Sequence, residues 1–265
     1  MKNGEAKILA NGDICGKCGT EAVAKKLWDI RNELCADMVI ANGENAAVGN
    51  GLDRESAQTL LQSGVDVITG GNHIFRKNSV YSLLDDGENI IRPANYPAEC
   101  PGSGYCIFDM CSYRVLVMNL LGTVYMESLE SPFAVADRIL KREEGNFDLA
   151  VMDIHAEATS EKIALAKYLD GRVSAVFGTH THVQTADEKI LCGGTGFICD
   201  LGMCGAVDAV LGIKNDIILH KFLTKMPVRH EEAEGDAEIC GCLFTVSVSS
   251  GKCTDVQRVR YTVKA

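Results

Sequence analysis

Val173-Ser174-Ala175-Val176-Phe177-Gly178-Thr179-His180-Thr181-His182 is an apolar run that breaks into two histidines spaced i and i+2. The run, residues 173–177, reads as a buried strand, and the break as the segment beyond its carboxyl end. Two imidazoles at that spacing are aimed into one crevice provided the backbone turns there rather than running on as regular strand. Neutral imidazole is the commonest side-chain ligand of borderline transition metals. A pair of surface-loop histidines is the plain alternative, so the question is which residues elsewhere complete a coordination set.

Working outward, the same pattern recurs. Residues 7–10 form an apolar run ending in Asn11-Gly12-Asp13, and residues 38–41 one ending in Asn42-Gly43-Glu44-Asn45. Residues 65–69 end in Gly70-Gly71-Asn72-His73, and residues 147–152 lead into Asp153-Ile154-His155. Helical spacings lie between: Val23, Leu27, Ile30 and Leu34 after a capping Thr20; Ala57, Leu60 and Leu61 after Asp53; Phe133, Ala136, Ile139 and Leu140 before Gly145. Thr159 or Ser160 is expected to cap a further helix, with Glu161 in its first turn. Strand and helix in alternation predict an α/β fold with a largely parallel sheet, every strand's carboxyl end on one rim, where ligands of open sheets bind.

Residues 92–104, rich in Pro and Gly, read as an ordered loop linking two halves. More strands are expected at 114–120 and 196–199. From Ile217 onward alternation dominates, and residues 243–248 and 256–263 predict an antiparallel hairpin finishing a second sheet. No internal boundary divides the chain, so 1–265 is expected to be a single domain.

The 265 residues carry a formal net charge of −10, which argues against a basic nucleic-acid-binding face and against attraction to anionic lipid. A small phosphorylated ligand stays compatible with that charge if metal ions supply local positive potential. The N-terminal residues contain no export-signal core and no stretch of about 18 apolar residues occurs, so a cytoplasmic location is expected. The twelve scattered cysteines then read as reduced thiols. Cys15-x-x-Cys18 stands as a candidate redox or metal pair, whereas Cys240-x-Cys242 has the wrong spacing for a zinc ribbon.

Five strand ends thus offer Asp13, Glu44 with Asn45, Asn72 with His73, His155, and His180 with His182. Carboxylate, amide oxygen and imidazole together suit Mn, Fe or Zn better than Mg or a structural zinc. The candidates are too many for one ion. Two ions sharing one carboxylate, roughly 3.5 to 4 Å apart and activating a hydroxide for in-line attack on phosphorus, is the economical arrangement. Taken singly, Asn45 and Asn72 would serve turns and Asp13 a helix cap; His220 and His230 lie outside every motif and read as structural or solvated.

Gly12-Asp13, Asn72-His73 after glycine, and Gly178-Thr179-His180-Thr181-His182 resemble the calcineurin-type metallophosphoesterases. The nearer likeness is to the YmdB-like branch. It is carried by Ala41-Asn42-Gly43-Glu44-Asn45-Ala46-Ala47, Arg92-Pro93-Ala94-Asn95-Tyr96-Pro97, His155-Ala156-Glu157-Ala158-Thr159-Ser160-Glu161-Lys162 and residues 178–185, and covers nearly the whole chain. The resemblance implies two mixed β-sheets sandwiched between helices. It also implies a dinuclear metal-dependent phosphodiesterase that opens 2′,3′-cyclic nucleotides, with 3′,5′-cyclic nucleotides and aryl phosphoesters as further substrates. By position, Asp13, Glu44 and His182 would hold one ion and Glu44, Asn72, His155 and His180 the other. The ions would be iron or manganese, with zinc as the alternative. Glu44 would bridge them, Asn45 would contact ligand or water, and His73 would protonate the leaving sugar oxygen, a task suited to an imidazole.

Two departures stand out. The first loop reads Gly16-Lys17-Cys18-Gly19-Thr20 where the family has a proline and an arginine, and Phe75-Arg76 replaces an aromatic-acid pair, which touches specificity more than chemistry. A 5′-nucleotidase or general phosphomonoesterase on the same centre, and a nucleotide-binding regulator with incidental hydrolysis, are the competing readings; a thiol oxidoreductase is more distant. The partner expected is a small-molecule phosphoester, with no stable nucleic-acid or membrane association, and a homo-oligomer is left open.

Overall fold

The computed structural model describes residues 4–87 and 89–265. Met1 to Asn3, part of the N-terminal stretch read above, and Glu88 lie outside the described residues.

Two sheets stack face to face. In the first, β1 (Glu5–Asn11), β3 (Met38–Asn42), β4 (Val67–Thr69) and β5 (Ile90–Ile91) run parallel. The long hairpin of β13 (Ala237–Ser247) and β14 (Cys253–Val263) joins antiparallel to β1, and β12 (Met203–Ala206) continues to β2 (Asp13–Ile14). In the second, β7 (Arg114–Leu121), β8 (Leu149–His155), β9 (Ala175–Thr179) and β11 (Gly196–Ile198) run parallel between antiparallel edges β6 (Tyr105–Asp109) and β10 (Lys189–Ile190). The hairpin is therefore real, but it sits inside the first sheet rather than finishing the second. Its apolar face, with Cys242, Phe244 and Val246, is needed there to extend the inter-sheet core beyond β1.

Three apolar layers hold the stack. Ile8, Ile40 and Val67 from one sheet meet Val117, Val151 and Phe177 from the other. Helices α1 (Gly16–Leu34), α2 (Arg54–Gln62) and α3 (Val80–Asp86) cover the first sheet's outer face, with Val23, Leu27, Ile30, Leu60 and Leu84 in that core. Helices α4 (Pro132–Arg142) and α5 (Thr159–Tyr168) cover the second. The result is the sandwich of two mixed sheets between helices that the resemblance implies, in which β3, β4, β8 and β9 all end on one rim.

Local readings differ in three places. Helix α1 starts at Gly16, four residues before the expected cap; the Thr20 hydroxyl donates instead to Gly16 O (3.0 Å) and Ala46 O (3.1 Å), stapling the helix to the loop after β3. Helix α5 starts at Thr159, so its cap position is Ala158, whose methyl offers no acceptor; Glu161 lies in the first turn as expected and accepts from the Thr123 and Val124 amides. Residues 215–224, read as the start of alternation, form helix α6 (Asn215–Thr224). Asp53 caps α2 in a reciprocal box with Ser56 as expected.

Candidate metal centre

The loop after β9 turns abruptly. His180 and His182 have φ of 99° and 65°, the left-handed region that non-glycine residues rarely adopt and that costs of order 1–3 kcal/mol each. Two buried carboxylates hold it: His180 N donates to Asp13 Oδ2 (2.9 Å) and Thr181 N to Asp200 Oδ2 (3.1 Å). Asp200 is in turn paired with Lys162 of α5, a lysine with 1 % of its side chain exposed, whose Nζ also donates to Thr179 O (2.7 Å). The turn that the histidine spacing requires is thus built by charged groups under the loop.

Around His155, at the end of β8, the tautomer follows from geometry. The Thr179 hydroxyl donates its one proton to Asp153 Oδ1 (2.7 Å), so its lone pair accepts Nδ1–H of His155 (2.9 Å). Nε2 of His155 is left facing inward. Within reach of it lie Asn72 Oδ1 (2.9 Å), His180 Nδ1 (3.1 Å) and Glu44 Oε1 (3.2 Å). His180 Nε2–H donates outward to Glu157 Oε2 (3.1 Å), so its Nδ1 also presents a lone pair. Four potential ligand atoms from four strand ends converge, and those of Glu44, His155 and His180 all lie within 4.8 Å of one another. Such a set fits a transition-metal cation.

Electrostatics say the same. Burial disfavours a charge on His155, yet Glu44, Asp13 and Asp153 beside it raise its pKa to about 9. Burial would likewise push the Glu44 carboxyl up, but His155 and His73 outweigh it and hold it well below the usual range. Burial, then the neighbouring His155, depress His180. Glu44, Asp13 and Asp153 thus favour positive charge at this donor set.

The remaining candidates flank this cluster. Asp13 is fully buried, its Oδ1 accepts no hydrogen bond, and that oxygen lies 3.7 Å from His182 Nε2. Asn45 Nδ2 donates to Glu44 Oε1 (2.9 Å), so its Oδ1 accepts Nδ1–H of His73 (2.8 Å); the His73 amide donates to Glu44 Oε2 (2.7 Å). All eight sequence candidates therefore gather at one rim. The glycines between them are spatial necessities: a Cβ on Gly71 would stand 2.3 Å from Glu44 Oε2 and 2.5 Å from His155 Nε2, and one on Gly12 would stand 1.9 Å from Gly202 O.

The two cysteines of the first loop part company. Cys15 Sγ is 3.6 Å from His182 Nδ1, while Cys18 Sγ turns to Gly235 O, so the two thiols do not pair with each other. His220 and His230 are exposed, away from the rim. Phe75 stacks edge-on against Tyr96 and Tyr81, an aromatic cluster next to His73. A cleft of about 1020 Å³ lies elsewhere, between α1, residues 229–235 and the C-terminal strand.

Thr179, Asp153, Asn42, Glu157, Lys162 and Asp200 were not singled out from the sequence; Thr179 and Glu157 orient the His155 and His180 rings, and Lys162 and Asp200 brace the turn that carries His180 and His182. Asn42 Nδ2 reaches across the sheets to Asp153 Oδ2 (3.1 Å), and Thr69 donates to the same oxygen. Asp153 alone gave a signal, a carboxylate inside an otherwise apolar strand; burial raises its pKa to about 6.

The sequence model described as YmdB-like protein matches residues 9–259. The 2′,3′-cyclic-nucleotide 2′-phosphodiesterase of Bacillus subtilis (strain 168) is 40% identical over 253 residues, 96% of each chain. Among solved structures, a novel phosphatase from Mycoplasma pneumoniae superposes with a TM-score of 0.92 at 30% identity, covering 98% of this chain and 94% of that one. A hypothetical protein from Thermus thermophilus superposes at 0.91 with 40% identity, covering 97% and 99%. No helix among the described residues is long and apolar enough to cross a membrane.

Proposed function

Since this chain belongs to the YmdB-like protein family and is a phosphoester hydrolase, we propose that it is a dinuclear metal-dependent phosphodiesterase. Its substrates are 2′,3′-cyclic nucleotides, which it opens at the 2′ oxygen. Residues 1–265 act as one catalytic domain, in the cytoplasm. The observation that carries this reading is the lone-pair cluster of Glu44, Asn72, His155 and His180 with His73 seated beside it.

In this reading Glu44, Asn72, His155 and His180 hold one ion and Glu44, Asp13 and His182 the other, iron or manganese by their mixed oxygen and nitrogen donors. Bound there, the ions supply Lewis acidity and an activated water. The chain does the rest. Thr179 and Glu157 hold the proton on the outward nitrogens of His155 and His180, keeping the inward ones free. Asn45 fixes the ring of His73 by accepting Nδ1–H, so the doubly protonated imidazolium would pass its Nε2 proton, on a side chain 26% exposed, to the departing sugar oxygen and remain as the Nδ1–H tautomer. The buried acids at the rim attract the cations, and the cations in turn make the acidic chain receptive to phosphate.

Phosphorus NMR of 2′,3′-cyclic AMP turnover tests this, with bis(p-nitrophenyl) phosphate as comparison. The expected product is the 3′-monophosphate. Glu44→Ala should lose nearly all turnover of both substrates. His73→Ala should lose about 10²- to 10⁴-fold on the cyclic nucleotide and far less on the nitrophenyl ester, whose leaving group needs no proton. Hydrolysis of 5′-AMP with no turnover of any cyclic nucleotide would move the assignment to a nucleotidase, and tight binding without turnover to a regulator.

A further inference from the structure

Helix α6 turns its apolar stripe outward. Of its ten residues only Ile218 is buried, whereas Leu219, Phe222 and Leu223 are 57%, 64% and 83% exposed, and Met226, just past the helix, 60%. Spacings of three and one place Leu219, Phe222 and Leu223 on one helical face, and Met226 follows just past the left-handed cap at Lys225. The face leaves on the order of 500 Å² of apolar surface in water, the size at which such patches mark interaction sites. Val207, Val210 and Leu211, also exposed, precede it in the same segment.

We propose that this stripe is covered by α6 of a second copy of the chain, lying antiparallel across a two-fold axis. Charge selects that occupant. Asp216, three residues before Leu219 and seven before Leu223, marks the amino end of the stripe; Lys225, three after Phe222, marks its carboxyl end, with Nζ 5.6 Å from the Phe222 ring centre. An antiparallel pair centred near residue 221 sets Leu219 against Leu223 of the second copy and Asp216 beside its Lys225, and opposes the two helix dipoles favourably. A parallel pair would oppose like charges. Two stripes bury about 1,000 Å² before the 207–211 segment is counted, the level a specific interface requires.

The interface would brace the metal rim. Gly212, just ahead of α6, packs against Cys15 beside His182. Glu232, in the segment that follows it, accepts from the Lys17 amide (3.0 Å) and the Gly49 amide (2.8 Å), pinning the first turn of α1 and the loop that follows β3.

Light scattering and sedimentation equilibrium of the full chain at micromolar concentration test the proposal. Wild type should show twice 28.6 kDa, and the Phe222→Glu, Leu223→Glu double variant the single-chain mass with an unchanged circular dichroism spectrum. Asp216→Lys and Lys225→Glu should each weaken association about tenfold, and mixing the two variants should restore it, since each then meets its opposite. A monomeric wild type, a dimer that survives the double variant, or charge variants that neither weaken alone nor rescue together would overturn it.

Discussion

Thr179 decides which nitrogen of His155 is available. Its proton is committed to Asp153, so it can only accept from Nδ1 of the imidazole, and Nε2 faces the cluster. Thr179→Val keeps shape and burial but removes both bonds. It should weaken metal binding about 10- to 100-fold, read by competition with a chromophoric chelator, while the fold persists. Gly71→Ala is a steric counterpart: its methyl would occupy the space between Glu44 Oε2 and His155 Nε2, so the variant should bind less metal even though its φ is ordinary. Wild-type affinity in either variant would contradict these roles. At this scale the sequence displayed the candidate ligand side chains that the fold gathers at the rim, because polar residues just past apolar strands are conspicuous. Thr179 and Asn42 were invisible, since a buried hydroxyl or amide inside a strand differs little from ordinary strand composition until its partner across the sheet is known.

The element that positions the histidines is the 178–182 turn, braced by α5 through Lys162. Removing one partner of a buried pair leaves the other charge uncompensated, so Lys162→Met should cost about 3–5 kcal/mol in denaturant unfolding and loosen the metal site. The Lys162→Met, Asp200→Leu pair should recover part of the stability but not the site, because the Thr181 and Gly202 amides lose their acceptor. Recovery of both would mean that the pair has no role in holding the loop. Elements with strong period were legible: β1, β3, β4, β8, β9 and the α2 cap all appear close to where the pattern put them. Helix α6 was not, because Ile217, Ile218 and Leu219 are consecutive apolar residues and so read as a strand rather than as one helical face. The hairpin's sheet was also illegible, because β13 reaches β1 across more than two hundred residues and no local feature announces that pairing.

For the whole molecule, two sheets stacked with the carboxyl ends of their parallel strands on one rim convert chemistry scattered from Asp13 to His182 into one cluster. Strand alternation foretold the rim; that two stacked sheets share it came only from the resemblance, since neither period nor composition assigns the parallel strands to one sheet or to two. Because the cluster crosses the sheet interface, metal binding is coupled to the stacking itself. Stripping the metal with a chelator should lower the melting temperature, by a shift that grows with free-ion concentration when metal is returned. The most direct test is the metal content of the chain purified without chelator, by plasma mass spectrometry, for wild type and Glu44→Gln. The account predicts two transition-metal ions per chain in wild type and a loss of both in the variant, because one carboxylate serves the pair. A single ion in wild type, or a variant that keeps two, would contradict it.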